Sequence, residues 1–388
     1  MPCCNTLPSL FPEISQVEKD IFSEDIKIWN RHFADQDNLI HPVTFFFQHG
    51  LDSKVSLVLL PLLASVGLLV PKILWPSQPE GTSLESILRT ISGMKLTLSP
   101  DEMRSALESA GGFFACAPES LRIFHDRLIS TGKSEWQLFS LLCLLTLNGL
   151  DAKSASFGIK INDATPGSDI KNAREFVNVL KELTECLGVS ASFYLSYKRQ
   201  LLGLALGPVQ ELIEALEILK GRGPHDVKKL ALEHGADLLI LANKAANRTE
   251  AKTVLKSLLL KGDALKKMEE IIEIQGGNIK IVNDYSELPE ADQRIDIHST
   301  KIGFVTRLKT SHLKKLKQKL MCIHPGAGLI FQKTVGDPVK EGDLLVKMHF
   351  PTPRCSSGLQ NEIRNAFVVT DCAPSFFPLI AEKIKGNF

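Results

Sequence analysis

Apolar positions at helical spacing open the chain: Ile14, Val17, Ile21, Ile26, Ile28 and Trp29 predict a helix over 14–35. Next comes FFFQHGLDSKVSLVLLP, residues 45–61, an apolar run followed by a polar turn and then an apolar helix expected over 55–68. Strand, turn and helix in that order can aim bare backbone amides at an anion. SLESILRTI predicts another helix, capped by Thr82 or Ser83. SPDEMRSALESAGG carries a serine cap, a proline at the first helical position, early acids and closing glycines, a full helix signature. FFACA predicts a short buried strand, and 118–149 one or two helices.

SASFGIKI, a helix over 168–188 and ASFYLSY form a strand–helix–strand unit, which implies parallel strands. Helical patterns dominate 208–275. From about residue 290 short strands and turns take over, as in RIDIHSTKIGFVTRL, GLIFQK and VGDPVKEGDLLVKMHF. The expected fold class is α/β: a mixed sheet flanked by helices, with a helical domain and a C-terminal α+β domain. The expected divisions are 1–40, 41–285 and 286–388.

Composition narrows the classes. Apolar residues make up 44% and charged residues 23% of the 388, which predicts a packed core. A net charge of +1 gives no overall attraction to nucleic acid or an anionic membrane, so neither is expected as a partner. The apolar run from Val55 to Val70 is broken by Ser56, Pro61, Ser65 and Gly67 and is too short to span a bilayer. The start, MPCCNTLPSLFPE, has no basic segment leading an apolar one, so no secretory signal is expected and a cytoplasmic location is. Eight scattered cysteines lack metal-ligand spacing and are expected as reduced, buried thiols.

Three stretches resemble the pyrimidine-nucleoside phosphorylases, the family of thymidine phosphorylase. They are EALEILKGRGPHDVKKLALEHGADLLILA (214–242), VGDPVKEGDLLVKMH with AFVVTDCAP, and KVSLVLLPLLASVGLLVPKI. The resemblance runs from about residue 40 to the end. It implies a nucleoside phosphorylase/phosphoribosyltransferase-like fold, a homodimer, and residues 1–40 as a shortened helical domain. It also implies a family reaction in which phosphate splits a pyrimidine nucleoside into base and (deoxy)ribose 1-phosphate. No cofactor is implied; phosphate is the co-substrate, and a nucleoside or another small molecule the ligand. Attack by phosphate needs amides, hydroxyls and a lysine around the anion, and the departing base needs donors and cations.

Matched position by position, the family's lysine, histidine and serine in the phosphate loop fall on Gln48, His49 and Gly50, and its glycine pair is absent. Without those glycines the amides turn inward at a cost. Ser56 keeps the helical serine, and Lys54 stands either as a substitute cation or facing outward. In LWPSQPEGT only Gly81 and Thr82 agree with the second phosphate segment, and the family serine falls on Leu74. On the base-binding helix Ser140 matches the serine while Leu144 stands on the lysine; Arg127 lies nearest the family's arginine. Catalysis is therefore expected to be lost or strongly altered. The alternative is an active enzyme built on His49, Ser56, Thr82 and Ser140, with His49 against the sugar or base.

Two further signals have bland readings. RLKTSHLKKLKQK, 307–319, predicts a helix with Leu313 and Leu316 buried and its lysines on a solvated face. VGDPVKEGDLL predicts a hairpin, and Lys160 a surface lysine at a strand end.

Overall fold

Residue Ser99 shows how local sequence fixes local structure. Its Oγ accepts from the Glu102 amide at 3.3 Å, and Glu102 Oε2 accepts from the Ser99 amide at 2.7 Å. This reciprocal cap opens the helix Pro100–Ala110, which ends at Gly111 with φ +75°, as its sequence signature predicts. The computed structural model describes residues 44–48, 53–75, 84–119, 150–161, 168–197, 201–352, 357–375 and 378–386, with single helical positions between 122 and 147. The helix expected over 14–35 and most of the 118–149 segment lie outside these residues.

The chain runs β1 (Thr44–Gln48), α1 (Ser53–Ala64), β2 (Val70–Leu74), α2 (Leu84–Leu88), α3 (Pro100–Ala110), β3 (Gly112–Cys116), β4 (Ser154–Ile161), α4 (Ser168–Cys186) and β5 (Ser190–Tyr197). Then come β6 (Ala205–Leu206) and four helices: α5 (Pro208–Leu219), α6 (His225–Leu241), α7 (Arg248–Lys261) and α8 (Asp263–Ile274). The last part holds β7 (Gln293–His298), β8 (Gly303–Leu308), α9 (Thr310–Ile323), β9 (Gly328–Phe331), β10 (Pro338–Val339), β11 (Leu344–Phe350), α10 (Ser357–Asn365), β12 (Phe367–Thr370) and β13 (Glu382–Lys385).

The central sheet has the order β1–β4–β5–β13. Its first three strands are parallel and β13 is antiparallel, so the sheet is mixed. The β2–β3 pair is also parallel, with β2 against β1. Strand alternation divides the central sheet into two unlike faces. Ala155, Phe157, Ile159, Ala191, Phe193 and Leu195 join the buried cluster that includes Val177 and Leu180 of α4. Ser154, Ser156, Ser192 and Tyr194 lie on the opposite face, buried beside α6. Apolar α1 is buried almost all round, in one core with α5, α6, α7 and α8.

The C-terminal strands build a third core with two sheets, β6–β9–β11–β7 and β10–β8–β12. Here the expected hairpin is corrected. Pro338–Val339 pairs with β8 and Leu344–Phe350 with β7 and β9, so the turn between them passes the chain from one sheet to another. The basic helix α9 also departs from expectation. Leu313 and Leu316 are buried as the spacing predicts, and so is Leu320, but Lys317 is buried with them and pairs with Glu211 of α5.

A buried ammonium and carboxylate hold each other in place, and removing one leaves the other as an uncompensated charge. Glu211→Ala is therefore expected to lower stability by about 3–5 kcal/mol in denaturant unfolding. Glu211→Leu combined with Lys317→Met is expected to recover most of the loss; if the single variant unfolds like wild type, the pair contributes nothing.

Candidate functional site

Strand β1 delivers its last residue, Gln48, to the carboxyl end of the parallel sheet, in register with Gly158 of β4. Open α/β sheets hold their ligands at that end. The next described residue is Ser53, where α1 begins. His49, Gly50, Thr82 and Arg127 lie outside the described residues. Ser56 is buried in the first turn of α1, and Ser140 is buried at a helical position. Leu74, at the position of the family's serine, is the buried last residue of β2.

Lys54 decides the electrostatics. It faces inward with 1% of its surface exposed. Its ammonium donates to Glu214 Oε2 at 2.6 Å and to the Ala205 carbonyl at 3.0 Å. The other Glu214 oxygen accepts from the Leu204 and Ala205 amides at 2.7 and 3.0 Å. Burial pushes the Glu214 carboxyl above its ordinary range, while the Lys54 charge and these amides pull it back. The charge of Lys54 is thus spent on the inside of the protein, and the substitute-cation reading fails. Gly203 makes this possible: it has φ +71°, and a Cβ there would lie 2.2 Å from Glu214 Oε2.

Beside this pair a cavity of about 790 Å³ opens at the ends of β4 and β5. Lys160, Tyr197, His225, Asp226 and Arg307 line it, with the 201–204 segment as one wall. Lys160 is 7% exposed, which corrects the expectation of a surface lysine. It follows Ser154 and Ser156 along the polar face of β4, so strand alternation, not strand position, sets its burial.

Under the cavity that polar face meets α6. The Ser192 hydroxyl donates to Ser156 Oγ at 2.9 Å, and Ser156 Oγ lies 2.7 Å from His234 Nδ1. The Tyr194 hydroxyl donates to Asp237 Oδ2 at 2.5 Å, and Asp237 also pairs with Arg248 and Lys383. Burial, aided by the charges of Lys383, Arg248 and Lys160, pushes His234 down to about 3. It is a neutral imidazole at physiological pH. Sequence reasoning missed Glu214, His234 and Arg307. Only Glu214 left a trace, since Glu211 and Glu214 stand one turn apart on a helix rich in apolar residues and so need partners if buried.

No protein-family model matches the chain. Among curated proteins, the pyrimidine-nucleoside phosphorylase of Geobacillus stearothermophilus is 26% identical over 315 residues, covering 77% of this chain and 72% of its own. Those of Staphylococcus aureus and Staphylococcus haemolyticus match with the same identity and coverage. Over most of its length the chain is similar to the pyrimidine-nucleoside phosphorylases. Among solved structures, the anthranilate phosphoribosyltransferase of Thermus thermophilus aligns with 71% of this chain and 99% of its own, at 14% identity and a TM-score of 0.49. At Gln48, Gly50, Leu74 and Leu144 this chain differs from the phosphate and base motifs of the pyrimidine-nucleoside phosphorylases.

Among the described residues no helix is long and apolar enough to cross a membrane, and no cluster of metal-ligating side chains occurs. Of the described cysteines, Cys116 and Cys143 are buried free thiols as expected, whereas Cys186, Cys322 and Cys372 are exposed.

The depressed His234 sets a pH dependence. Its ordinary value is 6.5, so between 6.5 and about 3 the unfolded chain binds a proton that the folded chain does not. The contribution is full above pH 6.5 and falls as the pH drops, by up to about 1.4 kcal/mol per pH unit. Unfolding in guanidinium between pH 6.5 and 4.5 is expected to give a shallower acid slope for His234→Gln than for wild type. Burial also lowers His349, which acts in both proteins and cancels in the difference. Parallel slopes would show that His234 charges freely in the folded state.

Proposed function

We propose that this protein, similar to the pyrimidine-nucleoside phosphorylases, has lost or strongly altered the family's catalysis, and that it acts through the scaffold by binding a small molecule or a partner. The observation that carries the reading is the Lys54–Glu214 pair. The cation closest in sequence to the former phosphate loop is committed to a buried carboxylate. Gln48 replaces the loop lysine, and Leu74, a core residue, replaces the serine of the second phosphate segment.

Loss of one charge-assisted contact at a transition state costs about 3 kcal/mol, or roughly a hundredfold in rate. Several such losses in one site leave little catalysis, although coupled residues do not add. In this reading the protein is a cytoplasmic homodimer, and Gln48, Gly50, Ser56, Thr82, Ser140 and Arg127 are the remains of a site. A second reading rests on Ser56, which stays in the first turn of the helix that follows β1. There the enzyme is active, with phosphate as co-substrate and His49, Ser56, Thr82 and Ser140 in the pocket.

Thymine release from thymidine in the presence of phosphate separates the two. The proposal predicts no turnover above background, with His49→Ala and Ser56→Ala indistinguishable from wild type. Turnover that disappears in both variants would overturn it.

A further inference from the structure

The cavity beyond the Lys54–Glu214 pair has a chemistry that the phosphorolytic motifs do not use. Its volume, about 790 Å³, lies within the range of small-molecule sites. Positive groups reach it from three separate elements. Lys160 comes from the carboxyl end of β4 and is buried. Arg307 comes from β8 in the C-terminal unit. It is exposed, and among the described residues its side chain makes no ion pair or hydrogen bond. The third is the amino end of α6, at His225, where the helix contributes partial positive charge although the Val227 amide is held by the Asp226 side chain.

The carboxylate that faces these groups, Asp226, is engaged. Its oxygens accept from the Gly203 amide at 2.9 Å and the Val227 amide at 2.8 Å. Apolar walls complete the lining, among them Leu202, Val335 and Leu379, with the ring of Tyr197 beside them. A pocket with a cationic side and an apolar, aromatic side suits a ligand with a matching division.

We propose that this cavity, between the central sheet and the C-terminal unit, binds a phosphomonoester with a planar apolar body, its phosphate held by Arg307 and Lys160. The planar guanidinium of Arg307 takes two phosphate oxygens at once, and Lys160 supplies a point charge on the other side. The body stacks toward Tyr197 and fills the apolar walls. None of the residues in segments 48–56 and 74–82 takes part, so the inference stands whether or not phosphorolysis survives.

Naphthyl phosphate is a suitable probe, with inorganic phosphate and naphthol as its two halves. A ligand that binds the folded state alone raises the melting temperature. Naphthyl phosphate is expected to raise it more than either half at equal concentration. In titration calorimetry Arg307→Ala should weaken binding tenfold or more and Arg307→Lys by less, while Ser56→Ala leaves it unchanged. The Arg307 side chain is exposed and makes no hydrogen bond or ion pair among the described residues, so the ligand-free melting temperature of Arg307→Ala should match wild type. The inference fails if naphthyl phosphate does not stabilise the protein, or if Arg307→Ala binds it as tightly as wild type. Loss of binding in Ser56→Ala with Arg307→Ala unaffected would also overturn it, by putting the anion in the loop before α1.

Discussion

Helix α5 carries two carboxylates, Glu211 and Glu214, into a region that water does not reach, and each has its own buried ammonium. Glu214 takes Lys54 from α1, and Glu211 takes Lys317 from α9. One helix thereby fixes both the helical core around α1 and the C-terminal unit. A buried charge without its partner costs several kcal/mol, so these pairs define which element sits beside which more than they add net stability. The Glu214 pair also draws in the 204–205 backbone, and with it the 201–204 wall of the cavity. The geometry at the sheet end depends on this arrangement.

The same pair separates the scaffold from the chemistry that the family resemblance suggests. Binding an inorganic anion needs cations and amides turned outward, toward the ligand. Here the lysine at the start of α1 points the other way, and the helix that receives it is among the best matches to the pyrimidine-nucleoside phosphorylases. Resemblance in the packing segments and divergence in the phosphate segments are compatible because different residues carry them. Fold follows from the first set and activity from the second.

Much of the fold is legible in the sequence because its signals are local. The Ser99 cap, the β4–α4–β5 unit and the helices over 208–275 need no information from elsewhere in the chain. Most of the misread features depend on distant partners. The turn before Asp343 looks like a hairpin, but its strands pair with β8 on one side and with β7 and β9 on the other. Lys54 and Lys317 are residue types that belong at the surface unless a partner waits inside, whereas the burial of Lys160 follows from strand alternation. The partner of Lys54 lies 160 positions away. In the candidate site, the sequence identifies which family residues are replaced. It does not reveal where the surviving charges point, because that is decided by tertiary pairing.

The central claim is that Lys54, the lysine at the start of α1, is not free to grip an oxyanion between β1 and α1 because Glu214 holds it inside. Diffraction from crystals soaked in sulfate tests it most directly. The account predicts no ion between segments 48–56 and 74–82, with Lys54 still paired to Glu214. A sulfate seated between those segments, above all one drawing Lys54 away from Glu214, would contradict it.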